Sequence, residues 1–286
     1  MSTKPISVKF FPHRCILVCR NRFFIKKCKD TTFLNPHHLF YYFCSRKVKA
    51  MSVDIFIPYE VDQFYPKTAQ NAISILERLG YEVHYNIEQT DAGQLAFENG
   101  NWDAAKKIGE KFVKQFYPSK HIVTPSSSTV NFITQHYTKL FFNTGLHLEY
   151  QHVAGNIFEF CDFIYHHAKA RDIGSIFEHA VVFHDCHLPE KHAEMVELLS
   201  HVNGIKLLNS PFQKEECGSS LVFSLNNESV ATAMALRQIS YAMKVGAEYI
   251  VVADAACKWH FESFIKKQKS EISVIHIVDV LASGLS

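Results

Sequence analysis

The sequence predicts an α/β protein of two tandem repeated domains, each a mostly parallel sheet covered by helices. Three observations lead there. From Val53 onward, short β-branched runs alternate with longer amphipathic stretches, the rhythm of parallel strands joined by crossover helices. Gly80 and Gly246 each close a helical pattern and lead directly into a strand-like run, as a glycine after a helix does. The chain also repeats itself: HYNIEQTDAGQLAF around Gly93 is answered by LLNSPFQKEECGSSLVF around Gly218, 125 positions later. HIVTPSSSTVNF is answered by EYIVVADAACKWH, which puts Thr129 and Cys257 128 positions apart, and the opening runs VDIFIPYE and AVVFHDCH keep a similar offset. A register held across three blocks marks a duplicated domain.

In chain order the strands are expected at Val53–Pro58, Glu82–Tyr85, His121–Thr124, Ala180–His184, Ile205–Leu208, Glu248–Ala253 and Val274–Ile277. Between them, helices are expected at Lys67–Leu79, Trp102–Phe116, Ser128–Leu140, Ile157–Ala168, Glu190–His201, Glu228–Val245 and Cys257–Lys267. The first of these places Ala69, Ala72, Ile73, Leu76 and Leu79 on one face, an apolar stripe of period 3.6. The Gly- and His-containing segment Thr144–Gly155 reads as the joint between halves. The expected division is a basic extension over 1–50, a first domain over 51–150 and a second over 151–286.

Hydrophobic residues make up 47% of the 286, ample for a core, and no apolar run approaches the ~18 residues that cross a bilayer. The formal charge of +2 hides a division. Residues 1–50 carry 11 Lys and Arg against the one acid Asp30, a net of +10, whereas the remainder carries 19 against 27, a net of −8. The acidic body lacks the basic stripe with interleaved aromatics that a nucleic-acid surface requires. The extension has no apolar stretch longer than CILV at Cys15–Val18, too short for a secretory signal; its acid-poor composition would suit a transit peptide. Met51 opens the first strand directly, so a mis-called start upstream of it is the simpler reading, and disorder is expected for a stretch of scattered charges. Cys15, Cys19, Cys28 and Cys44 of the extension fit no metal or disulfide framework.

Ligands of parallel sheets collect where strands end and helices begin. Cys186 follows the strand ending at His184, Cys217 lies in the loop after the strand ending near Leu208, and Cys257 opens the helix after the strand ending at Ala253. Helix N-termini lower thiol pKa values and favour thiolates. A single cysteine in such a loop is more often a small buried hydrophobe; three at corresponding strand ends of one domain form a candidate metal site. Cys161, inside the apolar run FEFCDFIYHH, is assigned to the core. Among the 17 histidines, His136, His147, His152, His166, His167 and His201 lie at separate positions and read as surface or satisfied polar groups. His184 and His187 flank Cys186 and could orient a ligand. Asp185 and Asp254 read as turn or helix-cap residues. The chain carries no GxGxxG, GxxxxGK[ST] or GxSxG, which removes the usual nucleotide and serine-hydrolase motifs. PSSST at Pro125–Thr129 could hold an anion on backbone N–H groups, but its match to a cysteine-bearing loop of the second half favours a structural reading.

These pieces together resemble the cysteine-rich, or Cys-Cys-Gly, domain proteins: lactate utilisation protein A, the iron-sulfur subunit of glycolate oxidase and the B subunit of heterodisulfide reductase. The resemblance runs from Met51 to the end. It rests on VDQFYP at Val61–Pro66, QTDAGQLAF at Gln89–Phe97, PSSS at Pro125–Ser128, HDCH at His184–His187, EECG at Glu215–Gly218 and ADAACKWH at Ala253–His260. The family pattern is a cysteine after the first strand, Cys-Cys-Gly in the second loop and a cysteine after the third strand. By that pattern the first copy has lost its ligands: Tyr59, Asp91, Ala92 and Thr129 stand at the cysteine positions. In the second copy Cys186, Cys217 and Cys257 match, and Glu216 replaces the first member of the Cys-Cys pair.

The resemblance implies one iron-sulfur cluster, of 4Fe-4S type, in the second domain, with Cys186, Cys217 and Cys257 as ligands and Glu216 as the fourth, His187 and His260 standing behind it. A mononuclear zinc site of Cys₃His or Cys₃Glu type is equally allowed by ligand chemistry. It also implies a cytoplasmic electron-relay subunit for oxidation of a 2-hydroxy acid, L-lactate or glycolate, with iron-sulfur and accessory subunits as partners. The alternative is a non-redox structural or regulatory partner, or a zinc protein, that has lost the cluster sites.

Overall fold

The computed structural model describes residues 51–285 and, within the basic extension, three antiparallel strands: β1 (Val8–Phe11), β2 (Arg14–Cys19) and β3 (Arg22–Lys27). The expectations of disorder, a transit peptide or a mis-called start concern a stretch that lies mostly outside the described residues. Ala50–Ser286 form a separate compact unit.

That unit contains two four-stranded sheets, all parallel. The first joins β4 (Met51–Ile55), β5 (Tyr81–Tyr85), β6 (Ile122–Thr124) and β7 (Ile157–Glu159) in the order β5-β4-β6-β7. The second joins β8 (Ala180–His184), β9 (Lys206–Leu208), β10 (Tyr249–Val252) and β11 (Ser273–His276), and read as β9-β8-β10-β11 it repeats the first strand for strand. In both, the connection changes direction between the first and third strands, and a parallel sheet opens a crevice there at its carboxyl edge.

Three apolar clusters hold the unit together. One spans both sheets: Val53 and Ile55 of the first and Val181, Phe183 and Val251 of the second are buried with residues of the helices Pro66–Arg78, His192–Ser200 and Ile277–Ala282. A second cluster packs Trp102–Phe116 and Ser127–Phe141 on the first repeat, and a third packs Glu228–Lys244 and Ala255–Gln268 on the second.

The helix at Trp102–Phe116 and the strand at Ala180–His184 have the bounds that the sequence predicts. Two segments differ. Ile157–Ala168, expected as one helix, opens with β7, continues as Phe160–Phe163 and ends in a π-turn at Ile164–Ala168. Its Glu159 carboxylate accepts the N–H groups of Cys161 (2.7 Å) and Asp162 (3.1 Å), starting the helix immediately after the strand. The first sheet thus reaches Glu159, past residue 150. Thr144–Gly155, expected as a joint, is largely the helix His147–Asn156, whose Tyr150 and Val153 are buried in the first repeat's outer cluster. Among the described residues no helix is long and apolar enough to cross a membrane.

Candidate metal centre

The second sheet brings three loops to one point. After β8 the chain turns on Asp185, whose carboxylate accepts the N–H groups of His187 (3.3 Å) and Leu188 (3.2 Å); this Asx-type turn sets the position of Cys186. After β10, Asp254 caps the helix Ala255–Gln268 by accepting the N–H of Ala256 at 2.9 Å, which leaves Cys257 in the first turn. The two aspartates therefore have the turn and cap roles that the sequence assigns them. The Cys217 loop is clamped from behind by Gln238, which donates to the carbonyls of Glu215 (3.3 Å) and Glu216 (3.1 Å).

Cys186, Cys217 and Cys257 are all buried. The Sγ of Cys257 lies 3.4 Å from that of Cys217 and 3.9 Å from that of Cys186. A fourth buried group joins them: His184, so that one ligand atom from each of the four residues lies within 4.8 Å of the others. Neither ring nitrogen of His184 has a hydrogen-bond partner. A buried imidazole without partners costs free energy unless something occupies its lone pair. The sulfur spacing has a direct reading, because ligands about 2.3 Å from a single tetrahedral ion stand about 3.8 Å apart.

Electrostatics agree that these thiols belong to one system. Hydrogen bonding from the Cys186 thiol, followed by that from Cys257, pulls the Cys217 thiol well below its ordinary value. The same contacts push Cys186 and Cys257 upward. One negative charge can be shared among three buried sulfurs; three require a cation in their midst. The donor set thus fits a soft metal centre, either an iron-sulfur cluster on three thiolates or a single ion such as zinc.

Glu216 is exposed and lies outside this group, its backbone carbonyl engaged by Gln238. His260 is buried but also lies outside. His187 is half-buried, with Nδ1 3.8 Å from the Cys186 sulfur and 4.0 Å from that of Cys257; with Asp254 and Cys257 it forms a second, overlapping group. Burial opposes protonation of His187, yet Asp254 and Asp185 raise its pKa above the ordinary value. Cys161 is fully buried in the core shared by both sheets.

The positions that correspond in the first repeat carry different chemistry. Tyr59 is exposed at the start of the helix Tyr59–Phe64. Asp91 Oδ1 accepts the N–H of Gly93 at 3.0 Å, and the Ala92 carbonyl accepts from the buried Tyr137 hydroxyl at 2.8 Å. Thr129 is buried, its hydroxyl 3.0 Å from that of Ser126.

The cysteine-rich domain family matches twice, over residues 55–131 and 180–262. This chain belongs to the cysteine-rich domain family. The first match runs from the end of β4 through β6 and the second takes in β8, β9 and β10, and the site just described lies in the second. The chain is 28% identical over 241 residues to lactate utilization protein A 1 of Bacillus anthracis (strain CDC 684 / NRRL 3495), covering 82% of this chain and 100% of that protein. It is 29% identical over 238 residues to lactate utilization protein A of Bacillus cereus (strain G9842), covering 82% and 99%. Among solved structures, a hypothetical protein from Helicobacter pylori superposes with a TM-score of 0.53 at 11% identity, over 82% of this chain and 49% of that one. That likeness concerns the fold, and this chain spans about half of that structure's length.

Proposed function

We propose that this cysteine-rich domain protein serves in lactate utilisation as a cytoplasmic electron-relay subunit, with one iron-sulfur cluster of 4Fe-4S type held in its second repeat. The observation that carries the reading is the convergence of Cys186, Cys217 and Cys257, with His184, from three loops at the carboxyl edge of one sheet. Its likeness to proteins named for lactate utilisation supplies the process. Free thiols at this position accord with a reducing compartment. A bound cluster supplies a one-electron store between a donor and an acceptor subunit. The chain's own residues hold it: three thiolates as ligands, His184 as the fourth donor in place of Glu216, and the apolar cluster around Val182, Val252 and Phe261 as the wall that keeps water away. The partners are the iron-sulfur and accessory subunits of the lactate system, and glycolate is the alternative substrate.

A second reading has its own observation. Sulfur separations of 3.4 and 3.9 Å suit a single tetrahedral ion, whereas a cubane holds its terminal thiolates farther apart. On that reading the chain is a zinc-bearing, non-redox partner in the same system.

Anaerobic purification with iron, acid-labile sulfide and zinc analysis, together with electron paramagnetic resonance, separates the two. Iron and sulfide with a resonance lost in Cys217→Ser support the relay. Stoichiometric zinc without iron after anaerobic reconstitution overturns it and leaves the zinc-bearing partner.

A further inference from the structure

The vacated loop of the first repeat reaches into the metal site of the second. Ser126, Ser127 and Ser128 surround the end of β6 and the start of the helix Ser127–Phe141, where the family pattern places a ligand loop. Ser126 Oγ donates to Asp254 Oδ2 at 2.8 Å, and Ser128 adds its hydroxyl (2.7 Å) and its backbone N–H (3.1 Å) to the same oxygen. Ser127 Oγ donates to Asp185 Oδ1 at 2.7 Å, and the Ser127 N–H reaches the carbonyl of Ala253 at 3.4 Å. Ser126, Ser127, Asp185 and Asp254 are all buried. The two aspartates receiving these bonds are the residues that shape the Cys186 turn and the Cys257 helix start.

We infer that Ser126, Ser127 and Ser128 are positioning residues of the metal centre, acting across the repeat boundary through Asp185 and Asp254. The inference rests on the metal-site reading above, whichever metal is held. Each aspartate uses one oxygen or both to fix a ligand loop, and the serines fix the aspartates. Buried carboxylate oxygens need hydrogen-bond donors, and the serines supply them from the other repeat. The serine loop of the first repeat thus supplies hydroxyl donors to the two aspartates that shape the cysteine loops of the second. Outer partners of this kind commonly carry a ~10- to 100-fold effect on metal affinity.

Titration of the full chain with Co²⁺ under anaerobic conditions reads this directly, because thiolate-to-cobalt absorption reports both affinity and ligand geometry. Ser127→Ala and Ser128→Ala are expected to weaken Co²⁺ binding by ~10-fold or more each and to alter the band positions, while Ser127→Thr, which keeps the hydroxyl, restores both. Far-UV circular dichroism on each variant identifies any that is unfolded, and the Thr-for-Ala comparison then decides from the folded ones. Unchanged affinity and spectrum in folded Ser127→Ala and Ser128→Ala overturn the positioning role. A wild-type chain that binds no Co²⁺ and holds neither zinc nor iron and sulfide after anaerobic reconstitution overturns the metal-site reading itself, and the inference with it.

Discussion

Gly93 and Gly218, 125 positions apart, hold the same left-handed backbone conformation, with φ of +93° and +84°, and each faces an alanine of the following long helix. A Cβ at Gly93 would stand 2.8 Å from the Ala105 carbonyl oxygen, and one at Gly218 would stand 2.9 Å from Ala231 Cα. The obstructing atoms are backbone, so neither site can yield by a rotamer change. Only the absence of a side chain permits the loop to approach the helix. The geometry survives in the repeat whose cysteines are gone, so it serves the packing of the loop as well as the ligands.

Gly93→Ala and Gly218→Ala are therefore both expected to destabilise the chain, by roughly 2–3 kcal/mol each from strain at positive φ and forced displacement. Chemical denaturation of the purified variants measures it. Only Gly218→Ala is expected to reduce metal binding as well, because its neighbour Cys217 is a ligand candidate.

The buried cysteines divide by role. Cys257→Ala is expected to abolish stoichiometric metal binding, whereas Cys161→Ala, in the core shared by the sheets, is expected to retain it and lose about 1 kcal/mol of stability through the small cavity left behind. Metal analysis beside a denaturant titration separates the two effects; metal loss in Cys161→Ala would contradict this division.

His184 and Glu216 offer the sharpest contrast. Replacing His184 with Ala is expected to weaken metal binding by ~10-fold or more, and replacing the exposed Glu216 with Ala to leave it within twofold. Competition with a chromophoric chelator gives both values. The opposite ranking would return Glu216 to the coordination sphere.

His276 gives a pH dependence through the start of the last helix. Burial lowers its pKa below the ordinary histidine value, and its neutral Nδ1 accepts the N–H of Val278 at 3.2 Å to start the last helix. Because the unfolded chain binds this proton more readily, acidification below about pH 6.5 favours unfolding and stability rises with pH through that region. His276→Asn retains a cap acceptor without a proton to bind, so its stability is expected to fall less on going from pH 7 to pH 5. Equal slopes for wild type and variant would exclude His276 as a contributor.

Much of this was legible in the chain because the long elements carry periodicity. Trp102–Phe116 has an apolar stripe that fixes both its type and its ends, and the repeat supplies the strand order twice. β7 was not legible: three residues, Ile157–Glu159, the outer two buried, run into FCDF, and so short a run cannot distinguish strand from helix. The helices Tyr59–Phe64, Gln94–Glu98 and Leu221–Asn226 are too short to show a period at all. At the site, the cysteines stood out by residue type and position at strand ends. The motif pairs Glu216 with Cys217, whereas the fold brings the buried His184 beside the three sulfurs and leaves the Glu216 side chain exposed. The signal available for His184 was its place at the end of the strand that leads to Cys186.

The apolar cluster spanning both sheets has a mechanical consequence. Val53 and Ile55 share one interior with Val181, Phe183 and Val251, and Thr68 and Asn71 of the first repeat both donate to Asp279 of the second, at 2.8 and 2.9 Å. Parting the repeats would expose this shared interior to water, so the two are expected to unfold in a single transition. Phe183 of β8, whose end leads to Cys186, and Val251 of β10, whose end leads to Cys257, belong to that shared interior, so the spacing of the sulfurs is tied to the packing between the repeats.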